Sequence, residues 1–554
     1  MASVAIVGGG PSGLYALQAL TAAPGIDEIV MFEAAKRWGL GTPYDPALNH
    51  PSLLANIASF ELPPLADTLA GWLAQLDEAE RAALGVSEVS DRAFYPRVVL
   101  GAYFEAQHVK LAASAGAQVR GYPATWVGDI RCGPDGVSVL YRKDGGALES
   151  ATFDFVILAT GHRSRPVSPR DALTTPAYPA PATPPDRPLR AAVLGASLTA
   201  IDATLAMAMS RGAFVREADA LAYRLHDGAA PLAVTMLSRR GVLPEADFYF
   251  PYPYQPLQFC DAAALLRAVP QGGLDAAFAL LAQELATQDP LWAARKSLDR
   301  LSADDFADAY FAGRDEDPFA QARRNLAQVR DNVREARVSA YRYVILRAHE
   351  AFEIIAPKLC PRDRVRFRRG LQRVFVDNYA AVPPLSVERL LALHAAGVLA
   401  VEKVDPDYRL EAVAEGVAVA SGQVSTVYDV VVDARGEGEA SPRELPFPTL
   451  RLQILANARL AGEAGSADLA VTDALALAPG VNPVERVYVL AAPFLLSRRP
   501  FVQGLAPAHE GAKRAVADLL RRAASPPSPR LAPPGAGALY MGDGLIVTTA
   551  PYIS

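Results

Sequence analysis

Thiols are scarce in this 554-residue chain: Cys132, Cys260 and Cys360 stand far apart and form no CxxC pair. That excludes a disulfide-stapled scaffold and, with only seven histidines and no ligand-type Cys/His spacing, a zinc site. An excess of one charge is also missing. The 54 Lys and Arg against 60 Asp and Glu leave a formal charge of -6, which excludes a polybasic nucleic-acid or membrane-surface binder. No uncharged apolar run approaches the roughly 18 residues of a membrane span. The first residues carry no basic head, long apolar stretch or small-residue cleavage site of an export signal. The expectation is a cytoplasmic protein that acts on small molecules, with no nucleic acid and no membrane. A homodimer is compatible with the sequence, which does not require one. With 51% hydrophobic residues there is core material for several compact units.

What is present begins at once. Residues 4–7 are a short apolar run of the kind buried on both faces of a parallel sheet, and Gly8-Gly9-Gly10-Pro11-Ser12-Gly13 leads from it into the helical pattern LYALQALTAA. A second apolar run, residues 29–32, ends in Glu33. Strand, Gly-x-Gly-x-x-Gly turn, helix and acid-ended strand together make a βαβ dinucleotide fingerprint. Gly8 permits the tight turn, Gly10 lets a pyrophosphate approach the backbone, and Gly13 lets helix and strand pack. Pro11 and Ser12 open the helix, whose N-terminus favours negative charge. Glu33 would accept from ribose hydroxyls and repel a 2′-phosphate, so FAD or NAD is expected here rather than NADP.

Beyond a proline-rich stretch at 177–188, read as a stiff linker and a domain boundary, the pattern restarts. Residues 191–194 read as a buried strand, Gly195-Ala196-Ser197 as a turn, and 198–209 as an apolar helix opened by Leu198 and Thr199. Gly195-x-Ser197-x-x-Ala200 is a degenerate fingerprint, supported by its placement after a strand. The following strand, 232–237, ends in Ser238-Arg239-Arg240, a hydroxyl and two guanidinium forks suited to a phosphate. NADPH is expected at this second site.

Residues 261–371 carry helical periodicity and read as an insertion or cap; the basic run at 358–373 reads as a solvated helix face or an anion-steering rim. Residues 428–433 form a strand ending at Gly436, and 486–491, Gly504 and a helix at 512–522 return to the first domain. The expected fold class is α/β, with two Rossmann-like dinucleotide-binding domains, for FAD and NAD(P)H, and a largely helical insertion. The expected divisions are 1–176 for the first part of the FAD-binding domain, 177–260 for the NAD(P)H-binding domain and 261–396 for the insertion with its return to that domain. Residues 397–524 are then the second part of the FAD-binding domain, with Gly504 as a cofactor contact, and 525–554 a tail in which 545–549 docks as an edge strand.

An FAD domain interrupted by an NADPH domain resembles the two-dinucleotide-binding-domain flavoproteins, over residues 1–260 and 428–522. The disulfide reductases of that layout are excluded by the missing CxxC. Asp154-x-x-x-Leu158-Ala159-Thr160-Gly161-His162 is similar to a signature of N-hydroxylating and related class B monooxygenases, with His162 for the usual Tyr and Pro166 one residue early. The resemblance implies that Thr160 and Gly161 touch cofactor and that His162 and Arg163 lie near the cofactors at a domain crossing. The Baeyer-Villiger fingerprint is absent. Residues 39–44, LLANIASFELPP at 53–64 and RAFYPRVVLGAY at 92–103 resemble FAD-dependent urate-hydroxylase-like proteins and nitrosuccinate-forming aspartate N-monooxygenases. That implies a loop against the isoalloxazine, where Asn56 hydrogen-bonds the oxygenated flavin or the substrate; a structural cap is the other reading of Asn56. The aromatic loop at 248–254 would wall a dry pocket or simply pack, and Arg163, Arg165, Arg362 and Arg366 are candidates for an acidic substrate. The implied activity is an FAD- and NADPH-dependent monooxygenase that uses molecular oxygen on the amine of a small amino acid, aspartate being the sharpest guess. The alternatives are an NAD(P)H-dependent flavin reductase or oxidase, and a flavin-binding interaction protein.

Overall fold

A computed structural model describes residues 2–115, 118–161, 171–179, 185–218, 220–436, 438–463 and 468–524. His162, Arg163, Arg165, Pro166 and the expected edge strand at 545–549 lie outside the described residues. Two five-stranded parallel sheets dominate, and they share one design. In the first, Ala2–Val7 lies between Ile26–Phe32 and Phe155–Leu158, with Gln118–Tyr122 and Val487–Val489 outermost. In the second, Leu189–Leu194 lies between Leu232–Ser238 and Val430–Asp433, with Leu399–Lys403 and Thr175–Pro176 outermost. Each also carries a three-stranded antiparallel meander: Thr125–Cys132, Val137–Lys143 and Leu148–Phe153 in the first domain, and Arg409–Val413, Gly416–Ser421 and Val424–Tyr428 in the second.

The correspondence extends to single bonds. Asp154 accepts from the Ser3 amide at 2.8 Å and from its hydroxyl at 2.9 Å, tying the start of one strand to the head of its neighbour. Asp429 does the same for the second sheet, accepting from the Arg190 amide at 2.6 Å. The acid of the sequence signature is thus a structural tie. It also divides what the sequence presents as one strand at 153–158, since Leu148–Phe153 belongs to the meander and Phe155–Leu158 to the parallel sheet.

The expected return to the first domain at 397 is corrected by this topology. Leu399–Lys403 pairs with Leu232–Ser238, and Val430–Asp433 with Leu189–Leu194, so the chain stays in the second domain through residue 433. The helical insertion enters between Leu232–Ser238 and Leu399–Lys403 of that domain. It has its own core, built on Leu265, Phe278, Phe306, Phe352, Phe367 and Phe375. One outsider completes that core: Phe501, only 2% exposed, reaches in from the first domain. Burying a phenyl ring of this kind contributes roughly 2–3 kcal/mol, so the insertion anchors the 499–505 segment.

The basic run is mostly neutralised, which removes Arg366 as a substrate partner. Arg366 meets Asp275, Asp304 and Asp363 at 2.6, 2.9 and 3.0 Å, and Arg364 and Arg368 pair with Asp468 and Glu439. Arg362 is exposed. Among the described residues no helix is long and apolar enough to cross a membrane.

Candidate functional site

The first glycine turn opens into a cleft of about 660 Å³. Gly8 has φ +109°, and a Cβ there would overlap the Ala159 carbonyl oxygen; a Cβ on Gly13 would overlap the carbonyl oxygen of Gly8. These two glycines are therefore required by close packing. Gly10 differs, because a Cβ there would come no nearer than 3.6 Å to any neighbour and the residue lines the cleft. It is the place where a ligand's phosphates can reach the main chain. Pro11 and Ser12 line the same wall at the start of the Pro11–Thr21 helix. A second helix, Leu505–Ala524, also begins at the cleft behind Gln503 and Gly504, so two helix N-termini converge on it.

Glu33 lies in the cleft wall beyond the Ile26–Phe32 strand. Its carboxylate accepts from the Gly9 amide at 2.7 Å and from the Ala35 amide at 2.6 Å, which fixes its orientation and leaves lone pairs for ribose hydroxyls. Thr160 and Gly161 line the opposite side. Trp126, which no sequence motif marks, is a 60% exposed indole on the cleft wall, held beside Glu33 because the Thr125 amide donates to the Glu33 carbonyl at 2.8 Å. A lone Trp in a strand carries no sequence signal of this; its exposure does. Glycines needed for close approach, an acid and two helix N-termini fit an adenine-linked dinucleotide. Asn56 is half-buried and outside the residues that line the cleft.

The resembling segments at 39–44 and 92–103 act together. A Cβ on Gly101 would overlap the Tyr44 carbonyl oxygen, so the Arg97–Ser114 helix packs directly on the loop carrying Leu40, Thr42 and Tyr44 into the cleft. Arg97 itself bridges domains. It meets Asp202 of the second domain at 2.9 Å, and Tyr178 donates to the same carboxylate at 2.7 Å. Burial works against the Arg97 charge, and Asp202 outweighs it.

The second cradle repeats the first with different chemistry. Gly195 has φ +119°, and a Cβ there would stand 2.7 Å from the Ala434 carbonyl oxygen. Ser197 caps the Leu198–Met209 helix without a side-chain hydrogen bond, and Thr199 lies in its first turn. The Ser238 hydroxyl accepts from the Gly241 amide at 3.0 Å. Arg239 is exposed, while Arg240 stacks on Phe311 of the insertion with its guanidinium 3.8 Å from the ring centroid.

A third constellation lies on the seam of all three units. Tyr254 donates to Glu61 at 3.0 Å, and Arg92 lies over the rings of Phe60 and Tyr249 at 4.9 and 4.7 Å. Arg347 of the insertion covers Tyr254 at 4.1 Å. Burial, and then the charge of Asp247, push Glu61 up to about 8, while burial raises Asp247 to about 6. Glu61 therefore holds a proton at neutral pH. The aromatic loop expected at 248–254 is packed here, with Phe248 and Phe250 buried and Tyr252 exposed.

Comparisons place the chain among known proteins. Residues 5–163 match the FAD-NAD(P)-binding family, and residues 261–379 match the YdhS-like middle domain. The uncharacterized protein YdhS of Escherichia coli (strain K12) is 36% identical over 545 residues, which is 96% of this chain and 98% of YdhS. Among solved structures, FAD-bound DfoA, the cadaverine monooxygenase of desferrioxamine biosynthesis in Erwinia amylovora, shares the fold. It aligns with TM-score 0.50 and 13% identity over 96% of both chains. The ornithine N-hydroxylase of Kutzneria sp. 744 aligns with TM-score 0.48 and 14% identity, covering 94% of this chain and 99% of its own.

Proposed function

The chain belongs to the family of Escherichia coli YdhS, and from its two unlike cradles we propose that it works as an FAD-dependent, NADPH-consuming monooxygenase acting on the amine of a small amino acid. The observation that carries this reading is the pairing, in one chain, of an acid-ended cradle at Glu33 with a base-ended cradle at Arg239. That DfoA, a cadaverine monooxygenase, shares the fold supports it. The opposed charges sort two dinucleotides, one without and one with a 2′-phosphate.

When bound, FAD supplies a hydride acceptor that activates oxygen, and NADPH supplies the hydride. The chain's own residues bind and orient. On the turn that Gly8 and Gly13 make possible, Gly10 and the N-terminus of the Pro11–Thr21 helix would receive the FAD pyrophosphate, and Glu33 would hold its ribose. Thr160, Gly161 and Gly504 close the cleft. Gly195, Ser197, Leu198 and Thr199 receive the second pyrophosphate, and Ser238, Arg239 and Arg240 end the strand beside it. Asn56 would hydrogen-bond the substrate, and His162, which lies outside the described residues, is the second catalytic candidate. Aspartate is the first substrate to test.

The test is NADPH oxidation by the FAD-loaded protein in air, with candidate amines present. Hydroxylamine or oxidised-amine product matching the NADPH consumed is expected. Hydrogen peroxide accounting for all consumed NADPH, whichever amine is added, would mark a reductase or oxidase instead.

A further inference from the structure

Of the insertion's basic run, Lys358, Arg364, Arg366 and Arg368 meet carboxylates, while Arg362, Arg369 and Arg373 have no carboxylate partner among the described residues. Arg373, in the Leu371–Tyr379 helix, is exposed, and its guanidinium donates to the Arg369 carbonyl oxygen at 2.8 Å. Its helix is fastened beside the second cradle: Asp377, one turn further on, pairs at 2.6 Å with Arg314, which donates to the Leu243 carbonyl oxygen of the second domain at 3.4 Å. Burial of its stem and then the Arg239 charge lower the Arg373 pKa, as that placement requires. Among the described residues neither guanidinium has a carboxylate partner. Two like charges brought together from different units, neither paired with a carboxylate, cost free energy unless an anion joins them.

Two more features belong to the same place. Lys403 is exposed at the end of its strand, paired in register with Ser238, so a third cation stands at the carboxyl edge of this sheet. Arg240 lies against Phe311, another residue of the insertion, and its buried Nη2 has no hydrogen-bond partner. Ligands of open parallel sheets bind at this edge, and the second strand's end meets the adenosine ribose. In the first domain that position is held by Glu33.

We propose that the middle domain supplies half of a 2′-phosphate site, with Arg373 and Arg239 as a two-sided clamp on the adenosine 2′-phosphate of NADPH and Lys403 at its rim. The inference rests on reading the second cradle as a nicotinamide-dinucleotide site. The middle domain is then part of the dinucleotide site, and a second domain folded without it would discriminate poorly between NADPH and NADH.

Calorimetric titration of the FAD-loaded full-length protein with NADP+, NAD+, 2′-AMP and 5′-AMP tests this. The wild type is expected to favour NADP+ over NAD+ and 2′-AMP over 5′-AMP. Arg373→Ala should weaken NADP+ and 2′-AMP by about tenfold and leave NAD+ within about twofold, with Arg373→Lys recovering part of the loss. Arg239→Ala combined with Arg373→Ala should lose less than the sum of the single changes. Unchanged melting and flavin content in Arg373→Lys keep the comparison interpretable if the alanine variant folds poorly. A preference intact in Arg373→Ala but abolished in Arg239→Ala would overturn the middle domain's part while sparing the cradle. Equal losses for NAD+ and NADP+ would reduce Arg373 to a structural role. A wild type that binds neither nucleotide would overturn the cradle reading and this inference together.

Discussion

The two cradles share a backbone and differ in what they present. In both, the first glycine has a positive φ, and the carbonyl of the Ala beyond the neighbouring strand, Ala159 or Ala434, leaves no room for a side chain. In both, that glycine's amide donates to the second strand, at 2.8 Å to Phe32 and 2.7 Å to Leu237. At the third fingerprint position the two diverge: Gly13 touches the turn, whereas Ala200 is fully buried yet tolerated. The helix of the second cradle therefore sits at a spacing that admits a methyl group. Close approach of main chains sets the architecture, and one residue at or just beyond the end of the second strand, Glu33 or Arg239, sets the charge that each cradle presents. Fingerprint degeneracy and cradle charge are thus separate properties.

The largest effects are expected where the units meet. Glu61 keeps its proton in the folded chain up to about 8, far above an unfolded glutamate. Its contribution to stability is complete below the unfolded pKa and is lost as pH rises through the folded one, by about 1.4 kcal/mol per pH unit in between. Glu61→Gln should match the wild type near pH 5 and exceed it near pH 9 in urea melts; parallel profiles would remove the seam from the argument. Asp202→Ala comes next. It strands the buried Arg97 between the domains and should cost about 3–5 kcal/mol, with calorimetry showing whether one transition splits into two.

The cradles themselves are the next test. Gly13→Ala should cost about 2–3 kcal/mol through overlap with the first turn and lower flavin content on purification. The reverse change in the second cradle, Ala200→Gly, should cost about 1 kcal/mol. Equal costs at the two positions would contradict the difference in helix spacing.

Much of this was legible because local pattern and chemistry coincide: apolar runs into glycine turns gave both cradles, and Glu33 and Arg239 gave their charge. The return boundary was not legible. The segment at 428–436 has the same acid, strand and glycine turn as 154–161, and it is the pairing of Val430–Asp433 with Leu189–Leu194, tied by Asp429 to Arg190, that assigns it to the second sheet. Nor could spacing separate Arg366, whose acids lie up to 91 residues away, from Arg373, which faces another cation. Partnership across a fold is a three-dimensional property of residues that look alike in sequence.

The smallest effect isolates the ligand term at Glu33. The carboxylate has two duties, bracing its own turn through the Gly9 and Ala35 amides and accepting from a ribose. Glu33→Gln keeps one carbonyl acceptor for the turn and removes the charge, whereas Glu33→Ala removes both duties. If the ribose contact matters, FAD binding to the apoprotein, followed by quenching of flavin fluorescence, should weaken by about tenfold, near 1.4 kcal/mol, in Glu33→Ala and by less in Glu33→Gln. FAD affinity unchanged in both, with the melting temperature lowered only in Glu33→Ala, would confine Glu33 to its turn. The acid would then no longer mirror Arg239, and the charge comparison between the cradles would rest on the second alone.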